Sequence, residues 1–231
     1  MTPGRTGGGI FAALAITLAL AISAAGTYAD PPQDEVFLFA RTGGARPDSC
    51  SDDPLEFRSH AAVVAAVDEL ELGAVRIRFF GCRVGEFQTS APPGIDDGDF
   101  SARIYYPLSD TLTRDDYIGP LLHELSHVFQ VLEAGSMAEL RRIESRAIAL
   151  GADFMVGLVA ARTAQMDMRG FQANVALIGR YRESSDAHGN PAQRSGAFRF
   201  GYFYDRNNDE RGIHDAHELF QNEFVHEILD R

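Results

Sequence analysis

The sequence predicts an α+β fold, a small N-terminal sheet with helices followed by a helical C-terminal part, and three observations carry it. Short runs rich in β-branched and aromatic residues alternate with turn-rich stretches up to Pro107. Beyond that point the apolar residues fall at helical spacing over long segments. No internal repeat interrupts this order. With 231 residues, 45% of them hydrophobic, the chain is long enough to bury one core and too apolar for a disordered polymer.

The first element is a targeting signal. Residues 10–25 (IFAALAITLALAISAA) form an uncharged apolar run behind Arg5, and small residues precede Asp30. This is the pattern of a signal peptide over residues 1–29, with cleavage after Ala25 or Ala29. A bilayer-spanning helix wants about 20 apolar residues, which this run does not reach. No stable membrane anchor is therefore expected after cleavage, and residues 30–231 are expected to form a single exported domain, periplasmic or secreted.

Residues 35–41 (EVFLFAR) read as a first strand and 43–54 as a loop rich in Gly, Pro, Ser and Asp. Residues 55–72 carry Ala62, Val63, Ala66, Val67 and Leu70 at helical spacing, ended by Gly73. Residues 75–80 (VRIRFF) and 102–106 (ARIYY) read as strands, with a turn-rich stretch over 88–99 between them. Helices are predicted over residues 120–134, 136–165, 170–181 and 215–229, with a polar loop over 184–195.

Charge removes several function classes. All 21 cations are arginine, against 33 Asp and Glu, a net charge of −12. A nucleic-acid binder needs a basic stripe, and docking on anionic lipid needs the same sign; neither partner is expected. The two cysteines, Cys50 and Cys82, form an even pair that in an oxidising compartment predicts one disulfide.

The chemistry is carried by His123-Glu124-Leu125-Ser126-His127, an HExxH motif inside the predicted helix 120–134. Positions i and i+4 share one helix face, so both imidazoles reach one ion. Glu124, rotated about 100° from His123, addresses a water beside the metal rather than the metal itself. The neighbours Leu121, Leu122, Leu125, Ser126, Val128 and Phe129 are uncharged, as a helix buried beneath a cleft requires. Catalytic zinc usually takes three protein ligands. Gln130 and Glu133 stand where a metzincin would continue with Gly and His, so the third ligand lies elsewhere, among Glu139, Glu144 and Asp153. An antiparallel helix after the break at Gly135-Ser136 would return Glu144 to the motif, on a face shared with Ala147, Ile148 and Gly151. Asp153, nine positions on, faces roughly the opposite way. His214, His217 and Glu218 look like a second cluster, but Gln221 stands where another HExxH needs His; they read as the exposed face of a starting helix.

The pattern resembles the gluzincin metallopeptidases, in which HExxH is followed by a Glu ligand on a later helix. Glu144-Ser145-Arg146-Ala147 is similar to the Glu-x-x-Ala opening of the signature shared by the M48 (HtpX/Ste24-like) and bacterial neutral zinc metallopeptidases. His188-Gly189-Asn190-Pro191-Ala192-Gln193-Arg194 resembles their His-Gly-x-x-x-Gln-Arg segment. Where the signature continues with Asp this chain has Ile148; a shifted alignment matches Ala152-Asp153 instead and leaves Ala149 at the ligand position. The resemblance implies a zincin-like (minigluzincin) domain holding Zn2+ through His123, His127 and Glu144, with Glu124 as general base. It further implies His188 as an oxyanion-steadying or zinc-capping residue, Arg194 beside the substrate, and a peptide or protein as that substrate. The strand over 102–106, just upstream of the motif helix, reads equally as an edge strand that could hold an extended substrate by backbone pairing or as a core strand. The alternative is a secreted zincin-fold protein that binds or regulates without turnover.

Overall fold

The computed structural model describes residues 36–37, 50–83, 87–91, 100–164, 169–171, 185–207 and 212–230. The signal-peptide expectation over residues 1–29 lies outside the described residues. The unit Pro32–Arg231 carries every described element. It is α+β, as its sequence predicts.

Five strands, β1 (Val36–Phe37), β2 (Cys50–Asp52), β3 (Arg76–Cys82), β4 (Gln88–Ala91) and β5 (Ser101–Pro107), form one mixed sheet in the order β1-β4-β5-β3-β2. The pair β3–β5 is parallel, in register from Arg76↔Ser101 to Cys82↔Pro107, and every other pair is antiparallel. Ala102, Ile104 and Tyr106 alternate into the core with no exposed surface. With β3 on one side and β4 on the other, β5 is an interior strand. Of the two readings of this strand, edge or core, the core one holds, because its backbone groups are paired on both sides.

Cys50 and Cys82 stand opposite one another in the β2–β3 register and are joined by a disulfide. It closes a loop of 32 residues, worth about 3–4 kcal/mol on the chain-entropy account, and packs with Phe80 and Tyr105 in a small satellite core.

The helix expected over 55–72 is confined to α1 (Ala61–Glu69), because tight turns at Phe57–Ser59 and Leu72–Ala74 take up its flanks. The His60 ring caps α1 by accepting the Ala62 N–H. The motif helix is α2 (Ile118–Ala134). A turn over Arg114–Tyr117, held by reciprocal Thr113–Asp116 bonds, leads into it, and Gly135 at φ +77° ends it. Ile118 to Val131 are all buried, so α2 runs through the middle of the molecule.

The single helix expected over 136–165 is two. α3 (Met137–Leu140), capped by Ser136, stops after one turn, and α4 (Ser145–Thr163) starts afresh with Glu144 as its extended N-cap. The polar loop expected over 184–195 is also helical. α5 (Ser185–His188) and α6 (Pro191–Asn207) meet at Gly189, whose φ of +81° only glycine adopts without strain. Asn190 caps α6 by accepting the N–H groups of Ala192 and Gln193, and Pro191 takes the first helical position, where its missing N–H costs nothing. α4 and α6 cross at two glycines. A Cβ on Gly157 would overlap the Phe198 carbonyl, and one on Gly201 the Phe154 carbonyl.

The helix expected over 215–229 is α7 (Ile213–Leu219), a π-helical turn over Phe220–Phe224 and α8 (Val225–Leu229). Of the helix expected over 170–181, residues 169–171 are helical and the remainder lies outside the described residues. No described helix is long and apolar enough to cross a membrane.

Candidate metal centre

α2 supplies the centre of the site. His123, Glu124 and His127 lie on its buried length, with His127 wholly inaccessible. The four-residue spacing brings the two imidazoles side by side, ring centroids 4.6 Å apart and nearly perpendicular, with their Nε2 atoms 3.1 Å apart.

Each ring is oriented from behind. His123 Nδ1 lies 2.8 Å from Asp153 Oδ1 on α4. Burial alone would raise the Asp153 carboxyl, but the Arg194 guanidinium and then His123 outweigh it and hold the group at about 2. An ionised carboxylate only accepts, so His123 donates through Nδ1. His127 Nδ1 lies 2.8 Å from Gln130 Oε1. The Gln130 amide is itself fixed, because its Nε2 donates to the Ile148 carbonyl at 2.9 Å, so Oε1 faces the ring and His127 also donates through Nδ1. Burial lowers the pKa of both imidazoles, and that of His127 is pushed further down by His123. Both are therefore neutral near pH 7, each with its one proton on Nδ1, and two Nε2 lone pairs face each other at 3.1 Å.

That arrangement suits a cation. Two lone pairs so close repel unless a positive centre lies between them. Zinc holds imidazole nitrogens at about 2.0–2.1 Å in a tetrahedron, which separates two of them by about 3.3 Å. The outer hydrogen bonds to a carboxylate and an amide oxygen are those that fix ligand tautomers at metal sites.

Glu124 is anchored from the sheet. Its Oε2 accepts from the Thr89 hydroxyl of β4 at 2.6 Å, which ties the motif helix to the sheet and steers the carboxylate. Neither Thr89 nor Gln130 is flagged by the sequence; a polar residue inside a buried helix or strand was the signal available.

The other expected site residues divide. Glu144 is not brought to the histidines. The break after α3 leaves it at the N-cap of α4 with a side chain 49% exposed, ion-paired to Arg146 at 2.7 Å. Glu139 pairs with Arg142 on the surface. Asp153 does reach the site, as the orienting partner of His123. One turn earlier on the same face of α4 is Ala149, fully buried, which offers only a methyl group. Arg194, expected beside the substrate, is 4% exposed and bonded to Asp153 through Nε at 2.7 Å and Nη2 at 2.9 Å. His188 is buried at the end of α5 with its ring centroid 6.5 Å from that of His123. Among the described residues, no three His, Cys, Asp or Glu side chains already stand close enough together to hold an ion.

His217 is not on an exposed face. It is buried, burial and His214 bring its pKa down to about 4, and its Nε2 lies 3.3 Å from the Gln130 amide. It thus backs the partner of His127. His214 stays at the surface between Glu133 and Glu71.

Comparison with protein-family models, with curated proteins and with solved structures returned no match for this chain.

Proposed function

We propose that the protein is an exported zinc-dependent peptidase with a zincin-like site, in which His123 and His127 hold the ion. The observation that carries this reading is the pair of Nε2 lone pairs 3.1 Å apart, each aimed by a hydrogen bond at Nδ1. Bound zinc would supply Lewis-acid polarisation of a carbonyl and of a water. Glu124 would take the proton of the attacking water at its carboxylate and return it to the leaving amine nitrogen. Thr89, donating to Oε2, would hold that carboxylate in one position. Asp153 and Gln130 would hold the ligand rings in one tautomer throughout. Export is supported by the disulfide and by the apolar leader of the sequence.

A second reading is a secreted zincin-fold protein that binds without turnover. It is favoured by Ala149, which stands where α4 could have offered a carboxylate, and by the surface position of Glu144.

Purified protein equilibrated with buffered zinc and then desalted is expected to retain one equivalent by elemental analysis. Glu124→Gln is expected to keep the metal and lose cleavage of casein. A wild type that retains no zinc refutes the metal reading; one that retains zinc and cleaves nothing favours the binding protein.

A further inference from the structure

We propose that the third metal donor is His188, giving a three-histidine site in place of two histidines and a carboxylate; the inference rests on the zinc reading of the same centre. The search for a third donor is short. α4 presents Ala149 and Asp153 to the site, the first without a donor atom and the second engaged by His123 and by two nitrogens of Arg194. Glu144 and Glu139 are drawn off to surface arginines. Glu124 is turned to Thr89.

His188 comes from the remaining side. It is 6% exposed, although it ends a helix of only four residues. Gly189 is what allows this. Its φ of +81° folds the chain back directly after the histidine, with Leu150 of α4 and Gln193 of α6 against it. The imidazole is thereby held over the motif helix, its ring tilted 44° to that of His123.

Two imidazoles sharing one zinc place their ring centres about 5 Å apart. His123 and His127 already do so at 4.6 Å. His188, at 6.5 Å from His123, needs to close by about 1–2 Å, within what a change of side-chain torsion or a small rocking of α5 provides. Three neutral imidazoles also leave the ion its full double charge, whereas a carboxylate would offset part of it, so the bound water would be the more acidic. The segment from α5 to the start of α6 then has one purpose: His188 reaches the metal, while Arg194, six residues on, holds the Asp153 that aims His123.

The test is metal affinity, read without any substrate. Wild type, His123→Ala, His188→Ala and His188→Gln are titrated with zinc against a chromophoric chelator, and with Co2+, whose visible absorption reports coordination number. Loss of an outer partner weakens metal binding about 10–100-fold, and loss of a ligand exceeds that. His188→Ala and His188→Gln, with folding checked by circular dichroism, are expected to bind zinc at least 100-fold more weakly, with a changed cobalt spectrum. Added imidazole is expected to restore part of the affinity of His188→Ala. If both variants bind within a few-fold of wild type with the same spectrum, His188 is not a ligand and the two-histidine reading stands without it. If wild type binds no metal, that reading falls and this one with it.

Discussion

Replacing Asp153 by Asn keeps the shape of the side chain and removes its charge. Asn Oδ1 still accepts from His123 Nδ1, so the substitution isolates the other partner, the Arg194 guanidinium, which is 4% exposed and makes two bonds to the native carboxylate at 2.7 and 2.9 Å. The variant leaves a buried arginine with no counter-charge and an amide nitrogen facing its Nε–H. Removing one member of a buried ion pair costs about 3–5 kcal/mol. For a domain of this size each kcal/mol moves the melting midpoint by about 2–4 °C, so the expected fall is about 6–20 °C. Urea and thermal unfolding, followed by circular dichroism at pH 7 with the disulfide intact, measure it. Arg194→Met alone strands the carboxylate and is expected to lose a similar amount.

The double variant Asp153→Asn/Arg194→Met removes both charges together. It is expected to recover about 2 kcal/mol or more relative to the sum of the single losses, which is the coupling a contacting buried pair shows. If the two losses simply add, or if Asp153→Asn costs less than about 1 kcal/mol, the pair is not the buried, mutually compensating unit described here.

Two further outcomes follow from the same structure. Gly157→Ala puts a methyl group onto the Phe198 carbonyl where α4 crosses α6, so the helices must part; a loss of about 1–3 kcal/mol by urea unfolding is expected, whereas Gly73→Ala, with open space around it, is expected to be neutral within about 0.5 kcal/mol. His214 is lowered somewhat by burial but raised more by Glu71 and Glu133, so its contribution is complete below its unfolded value and fades as pH rises through the higher folded one. The groups are largely exposed, which limits the effect to a few tenths of a kcal/mol. His214→Gln is expected to remove that slope from a stability profile between pH 6 and 8, and an unchanged slope would count against the pairing.

The parts of the fold legible in sequence were those with local signals. Helix α2 announces itself through Leu121, Leu122, Leu125, Val128 and Phe129 and ends at a glycine in the left-handed region, and β5 shows its alternation. The cysteine pair was legible from its parity and the leader alone. What failed was continuity. A run that is helical in composition from 136 to 165 gave no reason to break at 141–144, where the chain leaves helix after Leu140 and turns extended at Glu144. Glu144 moved from the site to the surface as a result. Residues 184–195 read as loop because Gly, Asn and Pro cluster there. Those same residues are the hinge, cap and first position of α6, and sequence order does not separate a loop from a tight junction between helices. Thr89 was out of reach, since it acts only through Glu124, brought to it by the fold, whereas Gln130 lies three residues past His127 on the same helix and was open to a reading of helix faces.

The buried pair bears on the choice between the two functional readings. Taking Asp153 and Arg194 out of water is costly, and well-packed apolar residues of similar volume commonly serve stability as well or better. The pair is therefore poorly explained as scaffolding. What it does locally is narrow: it keeps one carboxylate ionised in the interior, and that carboxylate fixes which nitrogen of His123 carries the proton. A protein that only displays a surface has no use for a histidine tautomer, and Glu124, bonded to Thr89, has no structural task that a glutamine would not perform as well. These orienting bonds, with the His188 ring 6.5 Å from that of His123, favour the metal-binding reading over the display one.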